Sequence, residues 1–218
     1  MIIQSKRVWI AGQFLAMQIE MQNGKITDIL PYGTKAADID YGDKRIVPGF
    51  IDVHTHGAYG FDTNDAEPEG LRDWMKRIPE EGVTAILPTT VTQMPDVLTA
   101  ALKNVAAVVS EGYEGAEILG VHFEGPYLDM EYKGAQPPEA IAKATVEQFK
   151  MYQEAAQGLI KYITMAPEHD ENFALTRYCR ETGVVVSMGH SSATYEQAML
   201  GIANGATSMT HVYNGMTP

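Results

Sequence analysis

The chain has 218 residues, 45% hydrophobic and 20% charged, an ordinary globular composition long enough to bury a sizeable core. Its formal net charge of −12 excludes a broad nucleic-acid surface, because neutralising phosphates needs a basic patch and none is visible. No apolar run approaches bilayer length and no secretory leader pattern opens the chain, so a cytoplasmic protein with no membrane partner is expected, and the lone Cys179 forbids an internal disulfide.

Residues 1–47 read as a small β domain. Val8 to Ile10, Phe14 to Met21 and Lys25 to Leu30 are short strands, with Asn23-Gly24 as the hairpin turn between the last two. The polar stretch from Ala36 to Arg45 marks the crossing into a second domain, residues 48–218.

From there the pattern is strand, loop, helix, repeated about every thirty residues, the size of a βα unit. Strand one is Phe50 to His56, entered through Pro48-Gly49 and left through Gly57. Alternation along it places Asp52, His54 and His56 on one face, which makes the last two a His-x-His chelate. The first helix covers Pro68 to Ile78, with Leu71, Trp74, Met75 and Ile78 at helical spacing, and strand two is Val83 to Leu87. Asp96 is the expected cap of a helix burying Val97, Ala101, Leu102, Val105 and Val109, and strand three is Glu117 to Phe123. Thr145-x-x-Gln148 and Thr194-x-x-Gln197 fit capping boxes for two later helices, and another helix runs from Asn172 to Thr182 before Gly183. Strands four, five and six are Ile160 to Met165, Val184 to Met188 and Thr207 to His211.

Six strands alternating with helices predict an α/β fold with a parallel sheet, either doubly wound or a barrel. His54-Thr55-His56-Gly57 is no glycine-rich phosphate turn, which argues against the doubly wound form. The ends of strands one, three, five and six carry His54 and His56, Glu124, His190 and His211, and these can meet only if the sheet curls about a common axis. The expectation is therefore a (β/α)8 TIM-type barrel with about six of eight strands present. Four imidazoles and a carboxylate suit Zn²⁺ or Fe(II), as two ions bridged by Glu124 or one ion with a spare pair. By parity His122 lies one layer deeper as a support of the ligands, and His169, amid Glu168, Asp170 and Glu171, is a solvated loop residue.

These residues carry a family resemblance. The stretch from Pro48 to Gly57 is similar to the first-strand signature of the amidohydrolase superfamily. His122-Phe123-Glu124-Gly125-Pro126, Lys133-Gly134-Ala135-Gln136, Ala166-Pro167-Glu168, Gly189-His190-Ser191 and Thr210-His211-Val212-Tyr213-Asn214-Gly215-Met216 resemble the N-acetylglucosamine-6-phosphate deacetylase branch. The resemblance implies an amidohydrolase barrel with a small β-sandwich-like N-terminal domain, and metal-assisted hydrolysis of a sugar phosphate to glucosamine 6-phosphate and acetate. It implies that Glu124, His190 and His211 hold the principal ion, and that His54 and His56 hold a second. Ala135, Gln136, Asn214 and Gly215 match substrate-binding positions, with Gln136 standing where many relatives have histidine and Gly215 where alanine is usual. It further implies a homodimer in the full-length form. Strands seven and eight, a phosphate-binding arginine and the catalytic aspartate are expected beyond Pro218, so no catalytic residue is assigned within the chain, which is expected to be inactive alone. A dihydroorotase-like or deaminase-like amidohydrolase and a non-catalytic metal-binding remnant are the alternatives.

Overall fold

The computed structural model describes residues 1–217 and divides into two compact units, Met1–Gly49 and Phe50–Pro218. In the first unit β1 (Ile2–Ile10) pairs antiparallel with β2 (Gln13–Gln22), and β2 pairs with β3 (Lys25–Pro31). Asn23 and Gly24 have φ of 52° and 73°, the positive values that a two-residue hairpin turn between twisted strands requires. The polar stretch that follows is not bare loop: β4 (Ile39–Asp40) and β5 (Arg45–Ile46) each add to β1 in parallel.

The second unit opens with β6 (Phe50–Thr55) and a small hairpin of β7 (Gly57–Ala58) and β8 (Phe61–Asp62). After it come α1 (Pro68–Arg77), β9 (Val83–Thr90), α2 (Pro95–Glu111), β10 (Glu117–Ile118) and β11 (Val121–Glu124). The remaining elements are α3 (Val146–Ala155), β12 (Ile160–Met165), α4 (Ala174–Glu181), β13 (Val185–Met188), α5 (Tyr195–Asn204) and β14 (Ala206–Met209). β10 and β11 are the expected third strand, broken where Gly120 takes a φ of 152°. Parallel pairing then runs in chain order: β6 to β9, β9 to β10 and β11, and on through β12 and β13 to β14. Sequential order without a reversal point is that of a barrel wall, not of a doubly wound sheet. The sheet is a curled half-barrel of six strands.

The helices bury their apolar stripes against this sheet. Leu71, Trp74 and Met75 of α1 are fully buried, as are Leu98, Ala101, Leu102 and Val108 of α2. The stripe of α2 is turned slightly from the expected one, with Leu98 and Val108 inside and Val97 and Val109 half-buried. Its cap also differs, being Met94 rather than Asp96, because Pro95 is pre-set for the first helical position and moves the start back by two residues. Thr194 and Gln197 form the full capping box, whereas Thr145 accepts from the Gln148 N–H without the reciprocal bond. α4 starts at Ala174, later than expected, since Asn172 and Phe173 adopt left-handed φ and the Asp170 carboxylate receives the N–H groups of Leu175 and Thr176. Cys179 is buried in α4 and its thiol is pushed up to about 12 by burial. No helix among the described residues is long and apolar enough to cross a membrane.

The inner face of the curled sheet is polar where the strands end. Thr164, Ser187 and Thr210 are buried and linked hydroxyl to hydroxyl, at 2.6 Å and 2.7 Å. They form a floor beneath the residues that follow.

Candidate metal centre

Glu124 ends β11 and its side chain is 2% exposed. His54 lies on β6 and His56 one residue past its end, so the pleat sends both rings to the same side. His190 and His211 each sit two residues beyond their strands, and both take left-handed φ, 50° and 31°. All four Nε2 atoms converge on the Glu124 carboxylate. Oε1 is 3.4 Å from His54, 3.3 Å from His190 and 3.6 Å from His211, and Oε2 is 3.1 Å from His56. The Nε2 atoms also face one another, at 2.9 Å for His190 and His211 and 3.4 Å for His54 and His56.

The opposite nitrogens decide the protonation. His56 Nδ1 lies 3.2 Å from Thr89 O, His190 Nδ1 2.7 Å from Tyr132 O and His211 Nδ1 2.7 Å from Asn214 O. A carbonyl can only accept, so each of these Nδ1 atoms carries a proton, and any lone pair left on the ring is that of Nε2, turned to the centre. Lone pairs at such distances around a buried anion repel unless a cation lies between them. Glu124 Oε1 is also buried without a properly directed hydrogen bond. Nitrogen donors, one carboxylate and an orphaned oxygen fit one or two divalent cations, with the triads His54, His56, Glu124 and Glu124, His190, His211 sharing the carboxylate.

Charge follows the same logic. Burial works against the Glu124 carboxylate, but the bonds and charges of His190, His54 and His56 outweigh it and hold its carboxyl far below the usual range. Burial likewise opposes a proton on His56 and on His190, and their contacts with Glu124 reverse that and raise both. Without a cation those protons answer the buried anion; a divalent ion would displace them.

His122 lies beneath, as its parity on the strand requires. It is 1% exposed, held between Val53 O at 2.8 Å and Thr164 Oγ1 at 2.6 Å, and burial pushes its pKa to about 3. The neutral ring packs edge-on against His54, with centroids 4.7 Å apart, so it supports a ligand without facing the centre. Asp52 does not project inward. Its carboxylate folds back on its own strand, accepting from the His54 N–H and the Thr55 hydroxyl.

The four matched substrate positions fall in different places. Gln136 is buried, its Oε1 accepting from Thr92 N–H at 2.7 Å and its Nε2 donating to Glu124 Oε2 at 3.2 Å. Ala135 is exposed just before it. Asn214 and Gly215 close the turn after His211, and a Cβ on Gly215 would stand 3.2 Å from both His190 Nδ1 and His211 Cε1, at a φ of 58°. The positive φ suits glycine there, and the alanine usual at this position would need the two rings to give by a few tenths of an ångström. The carbonyls of Thr89 and Tyr132, which fix two of the rings, escaped sequence reasoning, because a backbone acceptor leaves no trace in residue type.

Four imidazoles and a glutamate converge at the strand ends of a curled parallel sheet, a donor set that fits divalent metal. The chain belongs to the amidohydrolase family, whose sequence profile matches residues 45–217. It is 44% identical over 181 residues to the N-acetylglucosamine-6-phosphate deacetylase of Bacillus subtilis (strain 168), covering 81% of this chain and 45% of that protein. It is 34% identical over 200 residues to the N-acetylgalactosamine-6-phosphate deacetylase of Escherichia coli O157:H7, covering 92% of this chain and 52% of that one. The crystal structure of N-acetyl-D-glucosamine-6-phosphate deacetylase from Mycobacterium smegmatis superposes on it with a TM-score of 0.93 at 28% identity, over 100% of this chain and 57% of the other. The chain thus spans about half the length of the relatives it matches.

Proposed function

We propose that the chain provides the metal centre of a hydrolase that removes the acetyl group from N-acetylglucosamine 6-phosphate, giving glucosamine 6-phosphate and acetate. The observation that supports this most is the convergence of four Nε2 atoms on one buried carboxylate, in a chain whose relatives bear deacetylase names. Glu124, His190 and His211 would hold the principal Zn²⁺ or Fe(II), and His54 and His56, with Glu124 shared, a second ion. A divalent cation held there supplies Lewis acidity towards an amide carbonyl and acidifies water towards neutrality.

The chain's own side chains set the frame for that chemistry. Because Thr92 N–H must meet an acceptor, the Gln136 amide has one orientation, and its Nε2–H pins Glu124 Oε2 while Oε1 faces three imidazoles. Backbone N–H groups in a tight turn such as Asn214-Gly215 suit phosphate oxygens, and exposed Ala135 would face the sugar from the other rim. Asp52 is already engaged by His54 N–H and Thr55, and the family resemblance assigns the proton-transferring carboxylate to an aspartate of the longer relatives. Lack of such a group typically costs about 10² to 10⁴ in rate.

The test is acetate release by the metal-loaded chain, beside a form extended at its C-terminus to the length of its relatives. N-acetylglucosamine 6-phosphate, its galacto epimer and unphosphorylated N-acetylglucosamine are the substrates. The extended form should hydrolyse a phosphorylated sugar at least about 10²-fold faster than the 218-residue chain does. Turnover of a ureido or purine substrate instead would place the chain elsewhere in the family, and metal uptake with no turnover by either form would make it a non-catalytic metal-binding protein.

A further inference from the structure

His190 is held from two sides, and one side chain outside the cluster grips both. The ring is carried by the loop after β13 in a left-handed conformation that histidine rarely adopts, so something must hold it there. Its Nδ1 proton goes to Tyr132 O at 2.7 Å, which comes from a different segment, the loop after β11. The ring is therefore only as well aimed as these two segments are fixed to each other.

Asp129 lies at that junction and is 8% exposed. Its Oδ1 accepts from the N–H groups of Glu131 at 2.9 Å and Tyr132 at 3.2 Å, an Asx turn that shapes the peptide whose carbonyl meets the ring. Its own N–H donates to His190 O at 2.8 Å. Its Oδ2 accepts from Ser192 Oγ at 2.9 Å, on the loop that carries the ring, and lies 2.8 Å from His169 Nε2. His169 is thus exposed, as expected of a loop residue, yet committed to a partner. Glu168 braces the same loop, accepting from Ser192 N–H at 2.6 Å and Ser191 Oγ at 2.7 Å.

Asp129, Glu168 and His169 lie close enough to bind a cation themselves. Their oxygens and the imidazole nitrogen are occupied by one another and by Ser191, Ser192 and backbone N–H groups, so the cluster is a fastening and not a second metal site. We propose that Asp129 is a positioning residue for the metal centre: by tying residues 131–132 to residues 190–192 it holds the His190 imidazole with its proton on Nδ1 and its Nε2 towards the ion. Partners of this kind fix the ring orientation of metal-bound histidines, and losing one typically lowers metal affinity about 10- to 100-fold. The inference rests on the metal-centre reading above.

The experiment strips the purified chain of metal and titrates it with Co²⁺, reading the visible absorption of the bound ion, with thermal unfolding of each metal-free form measured in parallel. Asp129→Ala should bind Co²⁺ about 10- to 100-fold more weakly and with an altered band shape. Its metal-free melting temperature should fall as well, because four donors lose their acceptor, and Asp129→Asn separates that loss from the loss of aim. Asp129→Asn keeps the Oδ1 acceptor for Glu131 and Tyr132 and should recover much of the affinity and the wild-type band shape. Ser192→Ala, which removes one Oδ2 donor, should give a smaller loss in the same direction, and this pair carries the test if Asp129→Ala does not fold. Wild-type affinity and spectrum in every variant that folds would overturn the proposal. So would a loss that merely tracks a fall in metal-free stability and is not recovered by Asn. A folded wild-type chain that takes up no Co²⁺ would instead remove the metal-centre reading itself.

Discussion

The two halves of the centre are built by different means. His54 and His56 take their direction from a strand: the pleat aims both rings, with His122 packed under His54 and Thr89 O holding His56. His190 and His211 stand past the ends of β13 and β14 in left-handed conformations, and their aim comes from Tyr132 O and Asn214 O, acceptors supplied by loops. A strand-borne chelate is stiff by construction, whereas a loop-borne pair is as stiff as the bonds that tie the loops down. The second half should therefore respond to changes in residues that never touch the ion.

The largest effect should come from removing what both halves share an interest in. Stripping divalent metal with a chelator leaves the Nε2 atoms facing one another around Glu124, and differential scanning calorimetry should show a lower melting temperature that recovers on metal addition. Binding free energy adds to stability by mass action, about 2.7 kcal/mol at 100 times the Kd. An unchanged melting temperature would mean that the cluster is satisfied by protons alone. Next comes the contrast between halves. His190→Ala should abolish the tighter binding event, while His56→Ala should leave it and remove the weaker one, as isothermal titration with Zn²⁺ would resolve. Equal effects would erase the distinction between a principal and an accessory ion.

How much of this was readable beforehand differs between the halves for the same physical reason. Period-two alternation gave His54 and His56 a common face from residue order alone, and placed His122 one layer down. Strand ends located Glu124 as well. His211 was expected on strand six, but β14 stops at Met209, because the chain must turn to bring Nδ1 of the ring to Asn214 O. Asp52 shares the parity of His54 yet folds back on Thr55, since a short carboxylate beside a hydroxyl and a free N–H finds local partners first. Gln136 was recognisable only through resemblance, and its contact with Glu124 spans a loop no periodicity describes.

A smaller effect sharpens the contrast further. Gly215→Ala puts a methyl group 3.2 Å from His190 Nδ1 and His211 Cε1 at a φ of 58°. It should cost on the order of 1 kcal/mol of stability by chemical denaturation. It should also weaken metal binding on the His190 and His211 side while leaving the His54 and His56 side as it was. Weakening of both sides alike would show that the two halves are not independent.

The most direct measurement of the central claim is the metal content of the chain purified without chelator, by elemental analysis, beside Glu124→Gln. Glutamine keeps the shape and removes the charge common to both halves, so the wild-type chain should carry one or two divalent ions and the variant close to none. A folded wild-type chain free of metal, or a variant that retains the wild-type content, would contradict the account.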